Sequence, residues 1–232
     1  MGTTCSLFGD GDLAAGERWV RRIAARITRF DESSELSRLN TAAAWVDISA
    51  ELEQLLRASL RAFETSGGLV NITVLPSMLA IGYTRPLAQG PTAPHLDQAH
   101  SAPSLPDVLK VACGRARLAP NVRIDLGGIA KGWMADRLAA RLGDHVLVNL
   151  GGDLYARGEW PVAIAGKTYL LRNLGAATSS TRQRRWGDLH HLIDPRTGLP
   201  AATLLDEVSV VAETALDAEV LAKTVLISGR AA

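Results

Sequence analysis

The 232 residues are 47% hydrophobic, and 25 basic side chains stand against 24 acidic ones for a net charge of +1. A chain of this length buries roughly 70% of its unfolded surface, whereas so small a charge gives no long-range field for duplex nucleic acid or an anionic membrane. No apolar run approaches the roughly 20 residues of a membrane span, no secretory pattern opens the chain, and Cys5 and Cys113 make neither a metal-spaced cluster nor a disulfide framework. The expectation is a cytoplasmic protein with no nucleic-acid partner and no membrane span.

In chain order, Trp19, Val20, Ile23 and Ile27 recur at helical spacing and predict an amphipathic helix over 13–29. Leu52, Leu55, Leu56, Leu60 and Phe63 predict a second, with Ser49 as N-cap and Gly67-Gly68 as its stop. Residues 83–107 hold five of the ten prolines and read as an irregular surface connection with at most one short helix. A strand ending at Asp125 leads into a third helix over 128–142, closed by Gly143. The segments "HVLVNL", "WPVAIAG", "TYLLRN" and "EVSVVA" are rich in Val, Ile and Leu and read as strands, and 214–228 is a last helix. Helices dominate the first half and strands the second, which gives an α+β arrangement.

Two stretches carry candidate chemistry. In "DLGGIAKG", residues 125–132, two glycines open a helix, so free backbone N–H groups and the positive dipole end would meet an anion, with Lys131 adding a point charge and Asp125 accepting hydrogen bonds. The spacing matches neither a P-loop nor the dinucleotide fingerprint, and the same residues would also serve as a tight turn with a solvated lysine. In "HHLIDPRTGLPA", residues 190–201, Asp194 and Gly198 suit a turn. His191 lies three residues before Asp194, the spacing of a base with an orienting carboxylate, while His190 reads as structural. The small-residue segments "NLGGDL", "ATSST" and "SELSRLN" suit either a nucleotide pocket or ordinary turns and caps.

Together "MGTT", "ESSELSRLN", "SGGLVNITVLP", "DLGGIAKG", "NLGGDLYARG", "ATSS" and "HHLIDPRTGLP" resemble, in this order and over nearly the whole chain, the ApbE-type FAD:protein FMN transferases. The resemblance implies one domain over 1–232: a two-lobed α+β fold with a mixed or antiparallel sheet, flanking helices and FAD in a cleft between lobes. It implies a transferase that cleaves FAD at its pyrophosphate and passes FMN to a threonine or serine hydroxyl of an acceptor flavoprotein, releasing AMP with the assistance of Mg²⁺. By position, His191 with Asp194 would serve catalysis; Met1, Ala80, Ile81, Gly82, Asp125, Gly127 and Lys131 would meet FAD; and the Gly128 carbonyl and Glu219 would meet the metal, while Lys223, from its charge and not from the family pattern, is a further candidate to meet the FAD phosphates.

This chain departs from the family pattern at four places. Asn71 and Ile72 stand where the family has aspartate and proline, and Glu219 and Lys223 where it has the aspartate and threonine that ligate Mg²⁺. A carboxylate can ligate magnesium, but an ammonium has no lone pair to give. Three readings of the last helix stay open: a surface ion pair between Glu219 and Lys223, Lys223 in place of the divalent cation, or a shifted register with Asp217 as ligand. At the level of function, a flavin-nucleotide-binding protein that has lost the metal site is the alternative to the transferase; a flavin reductase has no nicotinamide fingerprint to support it.

Overall fold

The structure, a computed structural model, describes residues 2–229. Met1, assigned to FAD by the resemblance, lies outside the described residues. The helices are α1 (Leu13–Ile27), α2 (Glu35–Thr41), α3 (Ala50–Thr65), α4 (Leu75–Ala80), α5 (Leu105–Val108), α6 (Ala130–Leu142) and α7 (Ala215–Ser228). The strands are β1 (Cys5–Gly9), β2 (Val46–Asp47), β3 (Leu109–Ala112), β4 (Arg115–Leu118), β5 (Val146–Leu150), β6 (Leu154–Ile164), β7 (Lys167–Ser180), β8 (Arg185–Trp186), β9 (Leu189–His190) and β10 (Glu207–Ala212).

The long helices form where apolar stripes and caps agree. The Asp12 carboxylate accepts the Ala15 N–H to start α1, which buries Trp19, Val20, Ile23 and Ile27. It stops two residues short of the expected end because Thr28 turns extended, which releases Arg29 toward the interior. Ser49 caps α3 through the Leu52 N–H, as its position predicts. Helix α7 is capped twice. The Thr214 hydroxyl accepts the Asp217 N–H, and Asp136, reaching across from α6, accepts the N–H groups of Ala215 and Leu216 at 2.7 and 3.0 Å.

Five strands make one sheet in the order β1-β5-β6-β7-β10, antiparallel at every pairing. The segments "WPVAIAG" and "TYLLRN" are parts of two much longer strands, β6 and β7, whose hairpin bends where the register shifts between Ala156 and Glu159. Helices α1, α3 and α6 supply most of the core against β5, through residues such as Ile23, Leu52, Leu56, Met134, Leu138 and Val148, all essentially inaccessible. A small sheet, β2-β4-β3, packs beside α2 and α3. The 83–107 connection is tied down rather than loose: His95 donates to the Ala80 carbonyl at 2.7 Å, Thr92 to that of Gly82 at 2.9 Å, and Ala102 to that of Pro195 at 2.7 Å.

The approach to Asp125 differs from the sequence expectation. Residues 122–126 belong to no strand; the Asn40 side chain accepts the Ile124 N–H at 2.8 Å and the Ile72 carbonyl accepts that of Asp125 at 2.8 Å. Helix α6 begins at Ala130 rather than Gly128, because Ile129, at φ −141° and ψ −21°, is not helical. Among the described residues no helix is long and apolar enough to cross a membrane.

Candidate functional site

A cleft of about 760 Å³, within the range of small-molecule sites, opens between the start of α6, the end of α1, the last part of β7 and the turn after β9. Asp125, Gly127, Gly128, Lys131, His191 and Lys223 all line it, although 98 positions separate the first from the last of them. Thr178, Ser179 and Ser180 add small polar side chains from β7.

One wall is built on Arg29. Its Nε donates to Asp125 Oδ2 at 2.8 Å and its Nη2 to the Tyr83 carbonyl at 2.6 Å, with the guanidinium over the rings of Phe30 and Tyr83 at 4.1 and 4.7 Å. Tyr83 in turn leans on Trp186, whose indole N–H donates to the Ile81 carbonyl at 2.9 Å. Ala80, Ile81 and Gly82 are thereby placed behind this wall and not on the cleft surface. Ile81 is fully buried with Met78, Tyr83 and Ile193, and the carbonyls of Ala80 and Gly82 hold the 83–107 connection.

The opposite wall carries two lysines, each paired with a carboxylate. Lys131 pairs with the carboxylate of Asp153, which is buried in the turn between β5 and β6. Lys223 donates to Glu219 Oε1 at 2.8 Å, and Glu219 Oε2 accepts the Gly132 N–H at 2.8 Å. Glu219 has no exposed surface and Lys223 keeps 12%, so this i,i+4 pair is not a solvated surface contact. Burial, and then the nearby Asp153 charge, push the Glu219 carboxyl above its ordinary range against the pull of the two lysines. Gly132 is required for this packing: a Cβ there would lie 2.6 Å from the Ala215 carbonyl oxygen and 2.9 Å from Glu219 Oε2. Arg184 also lines the cleft and, among the described residues, has no carboxylate partner.

The backbone cradle is narrower than the sequence suggests. The Gly127 N–H is taken by Asp125 Oδ1 at 2.8 Å, and those of Ile129 and Ala130 by the Leu126 carbonyl. Side-chain charge, more than free amides, is therefore what this wall offers an anion.

His191 lines the cleft with its Nδ1 buried and, among the described residues, without a hydrogen-bond partner. Burial, with the charges of Arg184 and Lys223 beside it, pushes its pKa down to about 3, so the ring is neutral at physiological pH. His190 is occupied elsewhere, with Nδ1 accepting the Leu192 N–H and Nε2 meeting the Ala201 carbonyl, each at 3.3 Å. Asp194 does not orient His191. Its carboxylate accepts the Arg196 backbone N–H and guanidinium at 2.7–3.1 Å, and its carbonyl accepts the Gly198 N–H at 2.8 Å, so it organises the turn. Burial alone would raise the Asp194 pKa; the Arg196 hydrogen bonds hold it below the usual carboxylate range instead. Gly198, at φ +75°, lets that turn press onto the 83–107 connection, where a Cβ would fall 2.1 Å from the His100 carbonyl oxygen.

The residues at the expected metal position do not suit a divalent cation. Both Glu219 oxygens are engaged, Lys223 packs against Gly128 with Cε 3.7 Å from where a Cβ would stand, and the Asp217 carboxylate is held by the Thr214 hydroxyl at 2.6 Å. Among the described residues, no group of three or more His, Cys, Asp or Glu side chains is placed to hold a metal. Asn71 acts as a local brace: its oxygen accepts from Thr73 and its amide donates to the Pro103 carbonyl at 2.9 Å.

Arg29, Tyr83, Asp153 and Arg184 were not singled out by sequence. Asp153 carried a signal, the glycine turn "NLGGDL", and Arg184 sits in the basic run "RQRR"; nothing local marks Arg29 or Tyr83.

Comparison with known proteins places the chain in a family and identifies its fold. The profile of the ApbE family matches residues 1–232. An FAD:protein FMN transferase of Haemophilus influenzae is 26% identical over 273 residues, covering 99% of this chain and 79% of its own. One of Treponema pallidum is 31% identical over 241 residues, covering 85% of this chain and 66% of its own. Among solved structures, the ApbE protein of Thermotoga maritima superposes with a TM-score of 0.82 at 23% identity, over 96% of this chain and 82% of that one. The apo flavinyl transferase ApbE of Pseudomonas stutzeri gives 0.81 at 22%, over 98% and 83%. The α+β fold is thus that of the ApbE flavin transferases, and the chain belongs to the ApbE family.

Proposed function

We propose that this protein is an FAD:protein FMN transferase, acting as one domain over residues 1–232. The observation that carries the reading is the convergence, in one cleft, of an aromatic–arginine wall with Lys131, Lys223, Arg184 and His191. The first suits a flavin ring; the second suits a diphosphate about to be cleaved beside a proton acceptor.

In this reading the acceptor's threonine or serine oxygen forms a bond to the phosphorus of the FMN half. The P–O bond to the AMP phosphate breaks, the hydroxyl proton passes to the His191 imidazole, and AMP departs as a phosphate monoester. A pKa of about 3 makes His191 a poor base in the empty cleft. Burial is the largest cause of that depression; a bound diphosphate would offset the lesser part owed to Arg184 and Lys223 and move the pKa upward. Asp125, with Gly127 and Arg29 tied to it, is assigned to shaping the FAD site. The exposed free thiols of Cys5 and Cys113 support a reducing, cytoplasmic setting. The binding-protein alternative shares the metal-poor chemistry of Glu219 and Lys223, but a histidine lines the same cleft and the relatives are named FAD:protein FMN transferases, which favours the enzyme.

The test is to incubate the chain with FAD and an acceptor flavoprotein, following AMP release and the covalent flavin on the acceptor. His191→Ala should abolish both while leaving FAD binding within a few-fold of wild type. Flavin transfer that survives His191→Ala unchanged would remove the assigned role, and absence of any transfer by the wild type would remove the function.

A further inference from the structure

Resting on the flavin-transfer reading, we propose that this chain holds the FAD diphosphate without a divalent cation, the Lys223 ammonium standing against Gly128 where the ion would sit, with Lys131 and Arg184 supplying the remaining positive charge.

A metal ion needs open oxygen donors, and the one carboxylate on α7 that faces this wall is wholly buried and engaged at both oxygens: Glu219 accepts the Gly132 N–H on one and Lys223 on the other, both at 2.8 Å. An ammonium at that place adds a charge of the metal's own sign, so the site excludes the ion by repulsion as well as by occupancy. The arrangement is also fixed. Glu219 is wholly buried, its Gly132 contact pins it to the first turn of α6, and Lys223, with 12% of its side chain exposed, lines the cleft.

The charge balance fits an arriving anion. Lys131 with Asp153 and Lys223 with Glu219 form two neighbouring pairs whose charges cancel, which allows the wall to be buried before ligand arrives. Arg184 has no such partner among the described residues, and it lies on the same cleft beside His191. A diphosphate would therefore meet one guanidinium without a counter-ion and two ammonium groups, each with donors left over after its carboxylate contact. The chemistry a divalent cation supplies in phosphoryl transfer, neutralising non-bridging oxygens, is what these three groups can do.

The experiment titrates FAD into the full chain by flavin fluorescence, once in EDTA and once in MgCl₂, and then, with an acceptor flavoprotein added, measures AMP release under the same two conditions. Wild type should bind with the same affinity, within about twofold, and release AMP in both. Lys223→Thr, which removes the charge, should bind FAD roughly 10- to 100-fold more weakly in EDTA, the scale of a lost hydrogen bond to a charged group; Lys223→Arg, which keeps the charge, should stay within a few-fold of wild type. If wild-type affinity and AMP release collapse in EDTA and return with Mg²⁺, the proposal is overturned, and that result needs no variant to fold. Lys223→Thr binding as tightly as wild type in EDTA would overturn it as well. A chain that binds no FAD under any condition would sink the flavin reading itself, a different failure from metal-dependent binding.

Discussion

The Arg29–Asp125 pair connects the fold to the cleft and permits a worked prediction. The two side chains are 5% and 13% exposed, and Arg29 Nε lies 2.8 Å from Asp125 Oδ2. At that separation, Coulomb's law with an effective dielectric of about 20 gives an attraction of about 6 kcal/mol, much of it offset by desolvation. Removing one partner still leaves a buried charge uncompensated, at about 3–5 kcal/mol. For Asp125→Ala the lower figure applies, since Arg29 keeps the Tyr83 carbonyl and two aromatic faces. About 3 kcal/mol in a chain of this size is a fall in Tm of about 6–12 °C. Arg29→Met should cost a similar amount, and the double variant much less than the sum. Urea unfolding of the four proteins should return a coupling energy of about 2 kcal/mol or more. A coupling under about 0.5 kcal/mol, or a change in Tm of a degree or two, would refute the claim that this pair organises the cleft wall.

Other outcomes follow from the same geometry. His191 has a folded pKa of about 3 against about 6.5 unfolded. The unfolded state therefore binds the extra proton between those values, and stability present above pH 6.5 is lost as pH falls toward 3, by at most about 1.4 kcal/mol per unit. Unfolding across that window should show a shallower pH slope for His191→Gln than for wild type; identical slopes would contradict the placement of the ring. Gly132→Ala should cost about 3 kcal/mol, because backbone and a buried carboxylate block its Cβ, and a thermal melt matching wild type would show that α6 and α7 are packed less closely. Asn71→Asp replaces the donor to the Pro103 carbonyl with an acceptor, so it should lower stability by about 1–3 kcal/mol; a neutral or stabilising result would mean that the brace is not formed.

The parts of this molecule legible in its sequence are those fixed by local physics. Helices α1 and α3 declare themselves through apolar spacing and side-chain caps that act within four residues, and α7 through its Thr214 cap and its Gly229 stop. Strand β1 and the β2-β4-β3 sheet do not, because their registers are set by distant partners: Cys5 opposite Leu150, and Val46 opposite Ala116. The same division runs through the site. The glycine turn and the histidine turn could be quoted from sequence, and six of the residues picked from it reach one cleft. Ala80, Ile81 and Gly82 are one layer too deep, since position along the chain does not reveal which face of a short segment is covered. Asp194 looked like a partner for His191 because a carboxylate three residues away is compatible with either an orienting contact or a self-contained turn, and Arg196 decides for the turn. Arg29 enters only through the tertiary fold, when α1 ends at Thr28 and turns its next side chain inward.

A crystal structure of the chain with FAD bound, grown in EDTA, would test the central claim most directly. The account predicts the diphosphate beside Gly128 with its oxygens within about 2.7–3.2 Å of the Lys131 and Lys223 Nζ atoms, the flavin ring against the Arg29–Tyr83 wall, and the His191 imidazole facing the phosphorus of the FMN half. FAD seated elsewhere, or a diphosphate turned away from both lysines, would contradict it.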